Sequence, residues 1–417
     1  MLKTTSVVLV AFSIVMTEAA GGQAPAPPLR TAVFLDCHAD CDFDFFRREV
    51  AFVDWARDRT DADVHLLIPS EDTGGGEVYT LNFIGLRRFA GAADTLHLVT
   101  RNTDVDDEIR ANVVKVIKLG LVRFVAGTPA AQQLTVTYTA PAVTDSAATP
   151  AVKDPWNYWT FSTNLNGSLH GERRSSSHSY RVGTSANRVT DAWKIELNGS
   201  VRRARSEVEI DETTTFVNSS RDYSSNLLIV RSLGQHWSFG GVAGTQTSTF
   251  RNLDFQFEGG AGIEYDIFPY SVSSRKRFVF RYSAGARYLN YEEQTLFDRF
   301  SETHPVHNLE IQASLNQPWG SVYAQAGAFQ YLHDPAKHNL SLFTNFNVRI
   351  VRGLSLNAFA EVERIKDQIF LPRGEATPEE IVAERRQLGT DYSFSINFGL
   401  SYRFGSKFNN VVNPRFD

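Results

Sequence analysis

A chain of 417 residues, 42% of them hydrophobic, has room for two domains with ample core. Its formal net charge of -5 and pI near 6.1 exclude nucleic acid as an expected partner and give no reason to invoke an acidic one. Two cysteines, Cys37 and Cys41, fit an oxidising compartment with at most one disulfide.

The first 22 residues have the layout of a secretory signal peptide. Lys3 precedes an apolar stretch from Val7 to Met16, and the small residues Ala19, Ala20, Gly21 and Gly22 follow. Glu18 spoils the simplest small-x-small cleavage match, so the expected cut falls between Ala19 and Ala24. No cysteine stands at the junction to carry a lipid anchor. Residues 23–30 (QAPAPPLR) read as a flexible leader. No other stretch approaches the roughly 20 apolar residues of a membrane helix.

Residues 31–140 predict a small α/β domain. Thr31 to Asp36 reads as a strand, and Asp42 to Arg59 as a helix with Phe43, Phe46, Val50, Val53 and Trp55 or Ala56 at helical spacing. Ala62 to Ile68 and Glu77 to Phe83 read as strands joined by a turn at Gly74-Gly75-Gly76, and Thr95 to Thr100 as a further strand. Thr103, with Asp106 and Asp107 after it, signals a second helix whose stripe is Ile109, Val113, Val116, Ile117 and Leu121, with Gly120 weakening its end. Leu134 to Tyr138 is predicted to close the domain as a strand, and residues 141–155, rich in Ala, Pro and Thr, to form a linker.

From about residue 156 to 405 the pattern changes to strict alternation of apolar and polar residues. Tyr392, Phe394, Ile396, Phe398, Leu400, Tyr402 and Phe404 alternate with Ser393, Ser395, Asn397, Ser401 and Arg403. Successive side chains on a strand point to opposite faces, so each run has one oily and one wet face. Full charges on the wet face, and runs at the roughly 9–11 residues a tilted membrane strand needs, predict a closed antiparallel barrel with lipid outside and a polar lumen inside. Twelve strands are expected, near 157–170, 179–189, 192–208, 214–230, 236–249, 254–267, 277–290, 308–316, 321–332, 338–350, 354–366 and 391–404. An even number suits a single-chain bacterial barrel. Short connections at Thr190-Asp191, Ser232 to Gln235, Gln317 to Gly320 and Val351 to Gly353 would lie on one side, although Phe268 to Lys276 is longer than that scheme asks. The long ones, Glu292 to His307 and Asp367 to Thr390, would lie on the other. Residues 406–417 would form a tail on the short-turn side.

The lumen is predicted to carry charges of both signs: Arg181, Lys194, Glu196, Arg202, Arg281, Arg287, Glu310, Arg349, Glu361, Glu363 and Arg403. Such charges either pair across a narrow interior and hold it rigid, or form opposed clusters that select a hydrated solute. In the last long connection, Thr377-Pro378-Glu379-Glu380 is a helix-start signal, placing a short helix there as a plug or as surface decoration. The Cys37–Cys41 spacing, even with His38 and Asp40, is weak for zinc, which leaves a local disulfide or two reduced thiols. His304, His307, His333 and His338 are expected as solvated loop residues. The triple glycine lacks the helix start a phosphate-binding loop needs and reads as a turn. Gly167-Ser168-Leu169-His170-Gly171 sits on an alternating strand, not on a strained strand-to-helix turn. Neither catalysis nor a metal or cofactor is expected.

The C-terminal half resembles outer-membrane β-barrel proteins of Gram-negative bacteria. Its ending, Tyr402-Arg403-Phe404-Gly405-Ser406 through Asn409-Asn410-Val411-Val412-Asn413-Pro414-Arg415-Phe416, is similar to that of an uncharacterised family of such barrels. In that family a periplasmic α/β domain with an Asp-Cys…Cys-Asp element precedes the barrel, matched here by Asp36-Cys37 and Cys41-Asp42. The resemblance implies an outer-membrane location and a periplasmic first domain, and brings no activity. Phe416 is followed by Asp417 and lies beyond the last strand, so Tyr402 and Phe404 are the expected insertion signal. The resulting expectation is a channel or solute-binding barrel with outer-membrane lipid around it, a small hydrophilic solute inside and a periplasmic docking domain. The alternative is a non-conducting anchor whose first domain binds a periplasmic protein or peptidoglycan.

Overall fold

The computed structural model describes residues 30–137, 154–209, 215–374, 387–413 and 415. The signal peptide, all but the last residue of the leader, all but two residues of the linker, and ten of the twelve residues from Thr377 to Leu388 lie outside them.

The N-terminal domain runs β1 (Ala32–Cys37), α1 (Phe43–Glu49), β2 (Asp54–Trp55), β3 (Val64–Ile68), β4 (Ser70–Thr73), β5 (Gly76–Gly85), β6 (Ala93–Val99) and α2 (Asp106–Val125). Its mixed sheet has the order β2-β1-β3-β5-β4, with β6 on the free side of β5, and β1 pairs in parallel with both β2 and β3. Helix α2 covers one face because its apolar residues recur every three to four positions. Val113, Ile117, Leu121 and Phe124 meet Val33, Leu66, Leu81 and Phe83 in one buried core. Gly120 is not a weak helix end but a point of close approach. A Cβ there would stand 2.2 Å from Cζ of Phe83, so only glycine lets the helix settle on the sheet.

The predicted first helix is shorter than expected. Asp42 caps it by accepting from the Phe45 backbone N–H at 2.9 Å, but it ends at Glu49. Val50, Val53 and Trp55 are buried in the same core from a turn and from β2, which pairs with Ala32 and Val33. Helical spacing and this path bury the same side chains, and packing chose the second. Leu134 to Thr137 form no strand; a 3-10 turn over Pro129–Gln133 precedes them.

The second body is a sheet of twelve antiparallel strands in chain order: β7 (Trp159–Gly171), β8 (Ser175–Val189), β9 (Trp193–Glu209), β10 (Thr215–Ser232), β11 (Trp237–Ser248), β12 (Leu253–Asp266), β13 (Lys276–Tyr291), β14 (Ser301–Gln317), β15 (Gly320–Tyr331), β16 (His338–Val351), β17 (Leu354–Ile365) and β18 (Tyr392–Tyr402). The count and order match the expectation. The sheet curls strongly, since the β11–β12 turn meets the β17–β18 connection: Gln387 N–H donates to Phe250 O at 3.0 Å. No ladder joins β7 to β18 among the described residues, so the ring predicted as closed has an open seam. Alternation assigns each side chain to a face but carries no information on whether the first edge meets the last.

One boundary differs by seven residues. β14 starts at Ser301 rather than near 308, which shortens the connection after β13. Pro305 hid this extension. It stands opposite Ala286 of β13, while β15 ends at Tyr331 opposite Val306, so the missing Pro N–H lies beyond the end of the neighbouring ladder.

Candidate functional site: the lumen and its two ends

The register puts all eleven sequence-predicted charges on one face of the sheet. Arg181 stands opposite Arg202, and Arg202 opposite Asp222, which aligns with Ser248, Leu253 and Tyr291 in turn. Tyr291 shares its parity on β13 with Arg281 and Arg287, and Lys194 and Glu196 share that of Arg202 on β9. Arg281 faces Glu310, which leads through Gly327 and Ser341 to Glu363. Arg349 and Glu361 keep that parity, and Arg403 follows it one residue past β18. The opposite face carries Phe278, Phe280, Tyr282 and Tyr288 on β13 and Phe394, Ile396, Phe398 and Leu400 on β18, the last four more than half exposed.

The eleven do not form one cluster. Arg281 bridges Glu264 at 2.6 Å and Glu310 at 2.8 Å, so three adjacent strands are cross-linked on the inner face. Arg287 pairs with Glu258 at 2.7 Å and lies 4.2 Å over the Phe329 ring. Glu258 and Glu264 were not singled out from sequence, although they share the alternation of β12. Lys194 and Glu196 pair along β9 at 2.9 Å. Arg181, Arg202, Glu361 and Glu363 make no ion pair among the described residues.

At one end of the lumen the β17–β18 connection turns inward. Ile369 and Phe370 are each 4% exposed and pack on Leu253, Leu289, Tyr291, Val306 and Tyr331. Asn252 Nδ2 donates to Phe370 O at 3.1 Å, and Leu296 N–H to Leu371 O at 2.9 Å, tying the segment to two other connections. The helix predicted at Thr377–Leu388 falls mostly outside the described residues; the apolar stopper lies just before it. The run Ile369-Phe370-Leu371-Pro372 in an otherwise polar connection was the available signal.

The histidines need correction. His304 and His307 are on β14, not in a loop. His304 Nε2 lies 2.6 Å from Glu302 Oε2, and its ring stacks on His333 at 3.7 Å. His307 Nε2 lies 2.8 Å from Gln330 Oε1, and His338 Nδ1 3.1 Å from Pro335 O. The carboxylate at Glu302 was overlooked because β14 was started too late.

The N-terminal domain sits on the other end. Asp36, 5% exposed at the end of β1, receives Arg349 Nη2 at 2.6 Å and Nη1 at 2.8 Å. His65 Nε2 lies 2.9 Å from Asp36 Oδ2, while His65 Nδ1 accepts from Arg59 Nε at 3.2 Å, which defines a neutral imidazole donating through Nε2. His38 Nε2 is 3.3 Å from Asp36 Oδ1 without hydrogen-bond geometry. Burial works to raise the Asp36 pKa, but His38, His65 and Arg349 outweigh it and hold the carboxyl far below the usual range. Burial lowers the His65 pKa, against the pull of Asp36. Cys37 and Cys41, beside this carboxylate, are joined as a disulfide.

More contacts complete the seat. Arg352 pairs with Asp61 at 2.6 Å, and Gly353 N–H donates to Asp58 Oδ2 at 2.7 Å. Gly353 has φ +74, and a Cβ there would lie 2.3 Å from Arg403 O, so this β16–β17 turn needs glycine. From the edge strand β7, Thr160 Oγ1 donates to Gly74 O, so the triple-glycine turn is also a contact. The tail continues the domain's sheet: Phe408 bridges Ala56 antiparallel, with Arg57 N–H to Lys407 O and Asn409 N–H to Trp55 O both at 2.9 Å. Asn410 Oδ1 accepts from Trp55 N–H at 2.7 Å.

Between the domain and the lumen lies a cavity of about 920 Å³. Its barrel side is polar, with Asn347, Ser355, Asn357 and Ser401. Arg47, Arg57 and Arg59 line it from the domain, Arg349, Arg352 and Arg403 from the barrel, and Lys407 from the tail, against only Asp36, Asp58 and Asp61.

No group of three or more His, Cys, Asp or Glu side chains that could hold a metal ion occurs among the described residues. No curated protein matches the chain. A solved structure titled "NanC porin structure in rhombohedral crystal form" is similar at 11% identity over 58% of this chain and 99% of that one, with a TM-score of 0.28, too low to carry an argument about function. Residues 170–368, from the end of β7 to just past β17, match the family model described as "Protein of unknown function, DUF481".

Proposed function

We propose that the protein is an outer-membrane barrel that binds or passes a small hydrophilic solute, with its N-terminal domain seated in the periplasm across the inner mouth. The observation that supports this best is the Asp36–Arg349 seat. It joins domain to barrel through ion pairs and backbone hydrogen bonds around a polar cavity, not through a continuous apolar core. An ion-paired joint around a hydrated space can release, whereas a fused core cannot. The oily outer face would meet lipid, and the lumen charges would be its selectivity elements. Single-channel recording in a planar bilayer tests this. Wild type should conduct at low open probability, and Arg349→Ala, which unlatches the domain, should raise that probability.

A second reading, favoured by the buried Ile369–Phe370 stopper and the Glu264–Arg281–Glu310 cross-link, is a non-conducting anchor. Its N-terminal domain would bind a periplasmic protein or peptidoglycan. Silence in wild type, in Arg349→Ala and in Ile369→Ser/Phe370→Ser would sink the conducting proposal and leave this one.

A further inference from the structure

The geometry points to the cavity between the N-terminal domain and the lumen as a binding site for a small, multiply charged oxyanion, a carboxylate or phosphate compound. The charges around it do not cancel. Asp36 is taken by Arg349, Asp61 by Arg352, and Asp58 by the Gly353 N–H and by Thr60. Arg57, Arg403 and Lys407 remain, each lining the space and none with a side-chain hydrogen bond or ion pair among the described residues. They come from two separate parts of the chain, Arg57 from the domain and Arg403 and Lys407 from the segment after β18, and only the docked arrangement brings them to one cavity. Trp55, 3% exposed, forms part of the apolar wall of the cavity. A volume of about 920 Å³ admits a metabolite-sized molecule and is within the usual range for ligand sites. Guanidinium groups favour planar oxyanions, which they grip with two parallel hydrogen bonds.

The inference rests on the barrel acting as a solute-binding or solute-passing body. The test is calorimetric titration of the full chain in zwitterionic phosphatidylcholine nanodiscs, with citrate as the probe and glucose as a neutral control. Saturable citrate binding that weakens with added salt, with no glucose signal, is the expected result. Arg57→Gln/Arg403→Gln/Lys407→Gln should weaken it by about tenfold or more, with the exposed single Arg57→Gln as a milder change that spares folding. Absence of saturable citrate binding in wild type, or equal affinity in the triple variant, overturns the proposal. Discs of anionic phosphatidylglycerol separate the sources of the anion: equal affinity there supports a soluble occupant. Loss of citrate binding only there assigns the site to a lipid headgroup and overturns it. Citrate binding without conductance would remove the conducting function alone; conductance without citrate binding would remove this inference alone.

Discussion

Asp36 and Arg349 are 313 positions apart, yet their contact joins the two bodies of the molecule. Breaking a buried pair by removing one partner costs about 3–5 kcal/mol, because the remaining charge stays desolvated. Arg349→Ala is therefore expected to detach the N-terminal domain, seen as faster proteolysis in the linker and a lower first melting transition. Acid should act through His65 before Asp36. The folded His65 pKa lies below the ordinary value near 6.5, so its contribution is complete above that pH and declines as pH falls through it. The Asp36 contribution, with its pKa depressed, is complete above about pH 4 and is lost progressively only as pH falls below that. Melting of the domain should thus fall between pH 7 and 5, and His65→Gln should flatten that slope. An unchanged slope would move the effect to another group. Gly120→Ala drives a methyl into the Phe83 ring and should cost about 1–3 kcal/mol in the same transition.

Two elements act outside their own body. The tail at Lys407–Asn410 lies beside β2 through an isolated antiparallel bridge at Phe408, so it is tied to the domain's sheet as well as to the barrel. Deleting residues 406–417 should leave heat-modifiable barrel on a gel, because Tyr402 and Phe404 remain, while loosening the domain to protease. Loss of the heat-modifiable band would return the insertion signal to the tail. The stopper at Ile369–Phe370 is held at the other end by apolar burial and by the hydrogen bonds to Phe370 O and Leu371 O. Its replacement by serine forfeits roughly 1.5–3 kcal/mol of apolar burial per side chain and should raise open-state current in a conducting barrel. The burial of this apolar run is decided by the surface it meets, which no local signal in the connection records.

At the scale of the whole molecule, detergent dependence is the simplest expectation. The outward faces of β13 and β18 present rows of exposed Phe, Tyr, Leu and Ile that water does not tolerate in contiguous area. A monodisperse mature chain in detergent-free buffer would contradict the membrane assignment. Strand count, strand order and the face of each lumen charge were legible in the sequence, because a period of two residues is a local property of the pleat. The α/β character of the first domain was legible for the same reason, from stripes such as Val113, Ile117 and Leu121. Tertiary structure alone decided the early end of the first helix, the open seam, the partners of Arg281 and Arg287, and the seat of Asp36 on Arg349. Each of those depends on residues on different elements meeting in space, from 17 positions apart for Arg281 and Glu264 to 313 for Asp36 and Arg349, and no local periodicity records such a meeting.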